Sequence, residues 1–299
     1  MGLKFTVGDL TIHRIIEQET SFLPALEMLP GLTPELLAEN RGWMQKAGAL
    51  DANDVLILCF QSYIVKTPHH TILIDSCIGN DKPRPLRPKW NMKTDDTYMR
   101  ALASAGFAVG DIDFVMCTHL HVDHVGWNTR LIDGRWVPTF PRARYLIGRR
   151  EWDYWKIDQE RERYTPDSYH VDSILPVIES GQTDFVELDH VIDDWVRLEG
   201  STGHTPGHVN VRVRSGDAGV VMCGDIFHSP LQVAEPEINS CFCIEPEKAR
   251  RTRRDFLEQH ADTPVIVMPS HFPTPTAGWV RRHGPAYRFH FDYDSVKPK

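Results

Sequence analysis

The chain has 299 residues, 41% hydrophobic and 25% charged, with a formal net charge of −8. That length supports one large α/β domain with a substantial core, or two small ones. The acidic balance, with no basic run beyond ARRTRR at 249–254, argues against nucleic acid as a partner, and no apolar run approaches the ~18–20 residues of a membrane helix.

The N-terminus alternates apolar and polar residues and lacks the apolar core and small-residue cleavage site of a signal peptide. Residues 3–15 read as a hairpin turning at Gly8-Asp9. Residues 17–50 read as an insertion, with prolines at 24, 30 and 34 and a helix over TPELLAENRGWMQKA that Thr33 caps and Pro34 starts. Strands are expected at 55–66 and 71–75, a helix at 94–107, and a short buried strand at 113–118. Further strands fall at 143–147, 185–189, 195–199, 209–214, 219–223 and 264–270. Helical patterns lie near 149–157, 170–179 and 246–260. With no linker-like boundary and no solenoid period, residues 1–299 read as a single domain: two sheets face to face with helices outside.

Six cysteines, at 59, 77, 117, 223, 241 and 243, lie mostly in strand-like runs without C-x-x-C spacing. They are expected to be reduced and mostly buried, which points to the cytoplasm. Cys241-Phe242-Cys243 reads as packing, because i and i+2 on a strand share a face.

The informative stretch is THLHVDHVGWN at 118–128, which follows the buried strand 113–118. His119, His121, Asp123 and His124 place three imidazoles and a carboxylate within six positions, in a loop where side chains can converge. Such donors suit zinc, manganese or iron(II), and no thiolate stands close enough in sequence for a structural cysteine site.

H-x-H-x-D-H at 119–124 resembles the signature of the metallo-β-lactamase superfamily, and the rest of the chain continues the likeness. GHTPGHV supplies His204, GVVMCGDIF supplies Asp225, and VIVMPSHF supplies His271, in the family's order over roughly residues 50–275. The resemblance implies a four-layer αββα sandwich of two mixed β-sheets flanked by helices. It implies two divalent metal ions, zinc first. His119, His121 and His204 would hold one; Asp123, His124 and His271 would hold the other; Asp225 would bridge them. Seven protein ligands for two metals leave coordination positions open, the mark of a catalytic site. Five neutral imidazoles and two carboxylates leave residual positive charge, which favours a bridging hydroxide as nucleophile. His208 is expected to hydrogen-bond behind the ligands. Asp75, which resembles the family's LID turn, would orient a ligand histidine.

Departures narrow the reaction. A bridging Asp225 argues against β-lactamase activity, and His121 argues against oxygen reduction of the flavodiiron kind. The acidic chain lacks the basic surfaces of RNA-processing relatives, and the tail after His271 is too short for a glyoxalase II-like helical region. Sulfur dioxygenases, with one iron and fewer ligands, rank low. The nearest resemblance is to N-acyl homoserine lactone lactonases and related organophosphate hydrolases. The expected activity is hydrolysis of a small, fairly apolar ester or lactone, with Asp123 carrying a proton. Where lactonases of the best-known type have a tyrosine, this chain has His228, expected to polarise a carbonyl or protonate an alkoxide. Trp127, Phe227, Phe22 and Trp43 are the expected pocket walls. The alternatives are a phosphotriesterase-like hydrolase and a non-catalytic metal-binding protein. The expected partner is a small molecule, with neither nucleic acid nor membrane. The 17–50 segment is read either as a lid or as the contact of a homodimer.

Overall fold

The computed structural model describes residues 4–162 and 168–296. Strands β1 (Lys4–Val7) and β2 (Leu10–Pro24) form the expected antiparallel hairpin around Gly8, whose φ of +56° suits the turn. β2 runs on past residue 17, where an insertion was expected. The polar run from Glu17 to Ser21 hides this strand because its inward residues are not all apolar: Glu17 is buried. Helices α1 (Ala25–Met28) and α2 (Pro34–Lys46) follow, and Thr33 Oγ1 accepts the Leu36 amide at 3.2 Å, the predicted cap.

Strands β3 (Val55–Lys66) and β4 (Thr71–Ile74), helix α3 (Thr97–Ser104) and strand β5 (Phe114–Cys117) lead to the histidine-rich loop. A hairpin that the sequence reading missed, β6 (Thr129–Ile132) and β7 (Arg135–Pro138), turns at Asp133-Gly134, both at positive φ. Then come β8 (Arg144–Gly148), α4 (Arg149–Glu162), α5 (Tyr169–Ser173), α6 (Leu175–Glu179) and β9 (Thr183–Val186). The single helix expected over 170–179 is two, with Pro176 in the first turn of the second.

The remaining elements are β10 (Val196–Gly200), β11 (Val209–Ser215), β12 (Ala218–Met222), α7 (Leu231–Ala234), α8 (Pro246–His260) and β13 (Ile266–Met268). They end in the hairpin β14 (Gly278–His283) and β15 (Ala286–Phe291). One sheet has the order β1-β2-β3-β4-β5-β8-β9 and the other β10-β11-β12-β13-β14-β15. Both are mixed: β4, β5, β8 and β9 pair in parallel, as do β12 and β13, while β1-β2, β3-β4, β10-β11, β11-β12, β13-β14 and β14-β15 are antiparallel. This is the expected α/β class.

The chain divides into two compact units. The first comprises the residues up to Glu17 with Phe60–His190, and the second Gln18–Cys59 with the residues from Val191 onward. In the first, β4 is buried along its whole length, the continuous apolar run that a central parallel strand needs. In the second, Val221, Val267 and Val280 pack with Phe227, Phe256, Leu257, Phe272 and Phe289. Among the described residues no helix is long and apolar enough to cross a membrane.

Candidate metal centre

Of the seven predicted ligands, His119, His121, Asp123 and His124 belong to the first unit, and His204, Asp225 and His271 to the second. In the first unit, β4 and β5 run parallel and deliver their following loops to the same sheet edge, where ligands of open α/β sheets collect. Asp75 follows β4 at φ +58° and turns its carboxylate to the histidine loop. It accepts the Thr118 amide at 2.7 Å, the Thr118 hydroxyl at 2.9 Å and the His124 Nδ1–H at 2.8 Å. With Nδ1 carrying the proton given to Asp75, Nε2 of His124 is the ring nitrogen that bears the lone pair.

His119 Nε2 and His121 Nδ1 lie 3.1 Å apart, and the His119 and His124 ring centroids are 4.0 Å apart. Two imidazole nitrogens facing each other that closely need a shared proton or cation between or beside them. Asp123 is less buried, with Oδ2 3.9 Å from His124 Nε2. Two carboxylates that sequence reasoning missed hold this loop. Buried Glu151 accepts the Leu120 amide at 3.0 Å and the Trp155 indole N–H at 2.7 Å. Glu17, also buried, accepts the Ile78 amide at 2.7 Å and the Trp127 indole N–H at 2.9 Å, and pairs with Lys93 at 2.7 Å.

In the second unit, β12 ends at Met222 and the chain bends through Gly224, at φ +50°, into Asp225. Asp225 Oδ2 has His204 Nε2 at 3.3 Å, His228 Nε2 at 3.2 Å and His271 Nε2 at 3.2 Å. All four side chains are buried, and one ligand atom from each of Asp225, His228 and His271 lies within 4.8 Å of the others. The Asp225 amide donates to His208 Nε2 at 2.9 Å, and His208 Nδ1 meets Ser201 Oγ at 2.7 Å. His208 thus hydrogen-bonds behind Asp225, as expected. His271 ends the β13 segment, and its Nδ1–H donates to the Cys59 carbonyl at 3.0 Å, directing Nε2 at Asp225. A buried carboxylate ringed by imidazole nitrogens, with Nδ1 of His204 and of His271 each held by a neighbouring group, is a donor set that fits a divalent metal.

The predicted pocket walls fall differently. Phe227 is fully buried against Phe256 and Phe272. Trp127 is buried, stacked on Tyr98 at 5.2 Å, with its N–H given to Glu17. Neither presents surface to a ligand, because apolar side chains flanking a tight loop are drawn into the core of their own unit. Phe22 is half-buried, 6.4 Å from Phe242, which in turn lies 6.1 Å from His228. Trp43 donates its indole N–H to Asn40, lies 4.2 Å from Arg288, and lines a cleft of the second unit with Lys46, Phe289 and Phe291.

The metallo-beta-lactamase superfamily profile matches residues 61–271. An N-acyl homoserine lactonase of Bacillus cereus is 25% identical over 185 residues, 58% of this chain and 65% of that protein. The lactonase AttM of Azorhizobium caulinodans is 26% identical over 145 residues, 44% of this chain and 47% of its own. The chain therefore spans just under two thirds of the first of these relatives and about half of the second. Among solved structures, AidC, a dizinc quorum-quenching lactonase in complex with its product, superposes with a TM-score of 0.80 at 21% identity, over 97% of this chain and 96% of that one. The hydrolase AbOPH also reaches 0.80, at 23% identity over 97% and 98%. The fold is shared with both, and, on the profile covering most of its length, the chain belongs to the metallo-beta-lactamase superfamily.

Proposed function

We propose that this protein is a dinuclear-metal hydrolase of a small, fairly apolar ester or lactone. The observation that carries the reading is Asp225, a buried carboxylate with three imidazole Nε2 atoms at 3.2–3.3 Å, in a chain that also carries the intact H-x-H-x-D-H loop. His119, His121 and His204 would hold one metal, Asp123, His124 and His271 the other, and Asp225 both. Each is among the described side chains able to hold a metal. Zinc is the proposed ion, since the donors are imidazole and carboxylate. When bound, the metals supply Lewis acidity and water that is readily deprotonated near neutral pH.

The chain's own residues do the rest. Asp75, His208 and the Cys59 carbonyl hold His124, Asp225 and His271 in place. Asp123, half-buried where most of the other proposed ligands are buried, is suited to take the proton of the attacking water and hand it to the leaving group. His228 stands where a protonated imidazole would donate to an oxygen gaining charge. The relatives' activity on acyl homoserine lactones supports a lactone as the first substrate to try. The six cysteines are thiols and form no disulfide, which supports a reducing compartment such as the cytoplasm.

The test is metal analysis together with a substrate panel of lactones, aryl esters and phosphotriesters. About two metals per chain are expected, with lactone or aryl ester cleavage lost on chelation and restored by zinc. Cleavage of phosphotriesters alone would move the reading to organophosphate hydrolysis. Two bound metals with no turnover on the panel would overturn it in favour of a non-catalytic metal-binding protein.

A further inference from the structure

The inward-facing histidines are distinguished by what meets their second nitrogen. His124 Nδ1 meets the Asp75 carboxylate at 2.8 Å, His271 Nδ1 the Cys59 carbonyl at 3.0 Å, and His119 Nδ1 the Thr118 hydroxyl at 3.1 Å. These are oxygens. At His204 the corresponding atom is sulfur: Nδ1 lies 3.7 Å from Cys243 Sγ. Cys243 Sγ is in turn 3.6 Å from Ser240 Oγ.

The surrounding backbone fixes this contact. The Ile244 amide donates to the His204 carbonyl at 2.8 Å, and the Glu245 amide to the Gly203 carbonyl at 2.9 Å. Gly203 has φ +137°, and a Cβ there would stand 2.4 Å from the Ala249 nitrogen. The 203–204 turn is thus clamped between residues 243–245 and the start of α8. Cys241-Phe242-Cys243 lies in a turn of its own that packs on residues 203–204, not on a strand as its spacing suggested. Cys241 is exposed and Cys243 is not.

We propose that Cys243 is a positioning residue: its sulfur accepts the Nδ1–H of His204, holds that tautomer, and leaves Nε2 for the metal. A hydrogen-bonded chain then runs from His204 Nδ1–H to Cys243 Sγ and from the thiol proton to Ser240 Oγ. Sulfur is the weakest acceptor among these partners, so the Nδ1 bond at His204 is the weakest of the four compared. The inference rests on the metal-centre reading above.

The experiment compares full-length wild type with Cys243→Val, which fills the volume but accepts no hydrogen bond, and Cys243→Ser, which accepts one. Each is titrated with zinc against a chromophoric chelator, and folding is followed by circular dichroism. Loss of an outer partner of a metal-bound histidine weakens metal binding by ~10–100-fold. That loss is expected for one of the two zincs in Cys243→Val, while the other zinc is held as in wild type and Cys243→Ser binds nearer to wild type. Should the valine variant not fold, Cys243→Ala replaces it in the same comparison. Wild-type affinity in the valine or alanine variant overturns the proposal, and so does an equal loss in the serine variant, which would assign the effect to shape. A wild type that binds no zinc would instead bring down the metal-centre reading, and this inference with it.

Discussion

Asp75 and His124, 49 residues apart, are joined by a 2.8 Å hydrogen bond from the imidazole Nδ1 to the carboxylate, and the same carboxylate binds the amide and hydroxyl of Thr118. The turn after β4 and the histidine loop after β5 are therefore one hydrogen-bonded body. Asp75→Asn keeps the shape but exchanges one acceptor oxygen for an N–H donor and removes the charge. Zinc affinity is expected to fall by ~10–100-fold, read by chelator competition. Unchanged affinity would show that Asp75 serves the turn and not the ligand.

Gly126 sits where the histidine loop passes the chain at Ile78, and a Cβ at 126 would lie 1.9 Å from the Ile78 carbonyl oxygen. The Ile78 carbonyl carbon and the Gly79 nitrogen would be 2.0 and 2.6 Å away, and all three atoms are backbone, so no side chain can swing aside. Gly126→Ala is expected to destabilise by more than ~3 kcal/mol or to leave the protein unfolded, as judged by chemical denaturation. A loss below ~1 kcal/mol would mean that the two loops part easily.

His228, with Nε2 3.2 Å from Asp225 Oδ2, is proposed to act on a substrate oxygen that gains charge. His228→Ala is expected to lower kcat by ~100-fold or more while two metals remain bound. Loss of a metal in this variant would count His228 as a ligand instead, and an unchanged kcat would leave it a packing residue.

Lys82 is a buried cation in the first unit. Its Nζ donates to Thr129 Oγ1 at 2.8 Å and to the Asp172 carbonyl at 3.2 Å, and it lies 3.9 Å from the Trp136 ring centroid. Arg84 holds the Asp172 carboxylate with two bonds of 2.7 Å. Burial pushes the Lys82 ammonium down from 10.5 to about 8, against the pull of Asp172. Below pH 8 both folded and unfolded chains carry the proton, and the group's contribution is at its least favourable. Between about 8 and 10.5 the unfolded chain keeps a proton that the folded chain has released, so stability contributed by this group rises with pH. Relative to Lys82→Met, wild-type unfolding free energy should climb across that window by a few kcal/mol. A flat difference between the two would mean that Lys82 titrates as it does in water.

Local chemistry carried much of this protein in one dimension. Thr33 with Pro34 marked the start of α2, Pro246 marked that of α8, and the apolar strand before His119 announced the metal loop. Each is a signal written within a few residues, because capping, φ restriction and strand periodicity act over that range. The family motifs likewise named His119, His121, Asp123, His124, His204, Asp225 and His271 in order.

What the sequence could not show is which ordinary residue becomes an anchor once distant segments meet. Glu17 stands in a polar run, Glu151 in the first turn of a helix and Cys243 two residues from Cys241, and no such local setting announces an anchor. Burial beside particular amides, indoles and an imidazole gave each its role. Trp127 and Phe227 moved the other way, from expected pocket walls to core, because burying an aromatic ring removes more apolar surface from water than one loop can expose cheaply. Residue type and spacing determined the chemistry this chain carries. Tertiary packing alone decided which donors face Asp225 and which groups hold them there, since hydrogen-bond direction and desolvation exist only between segments that the fold has brought together.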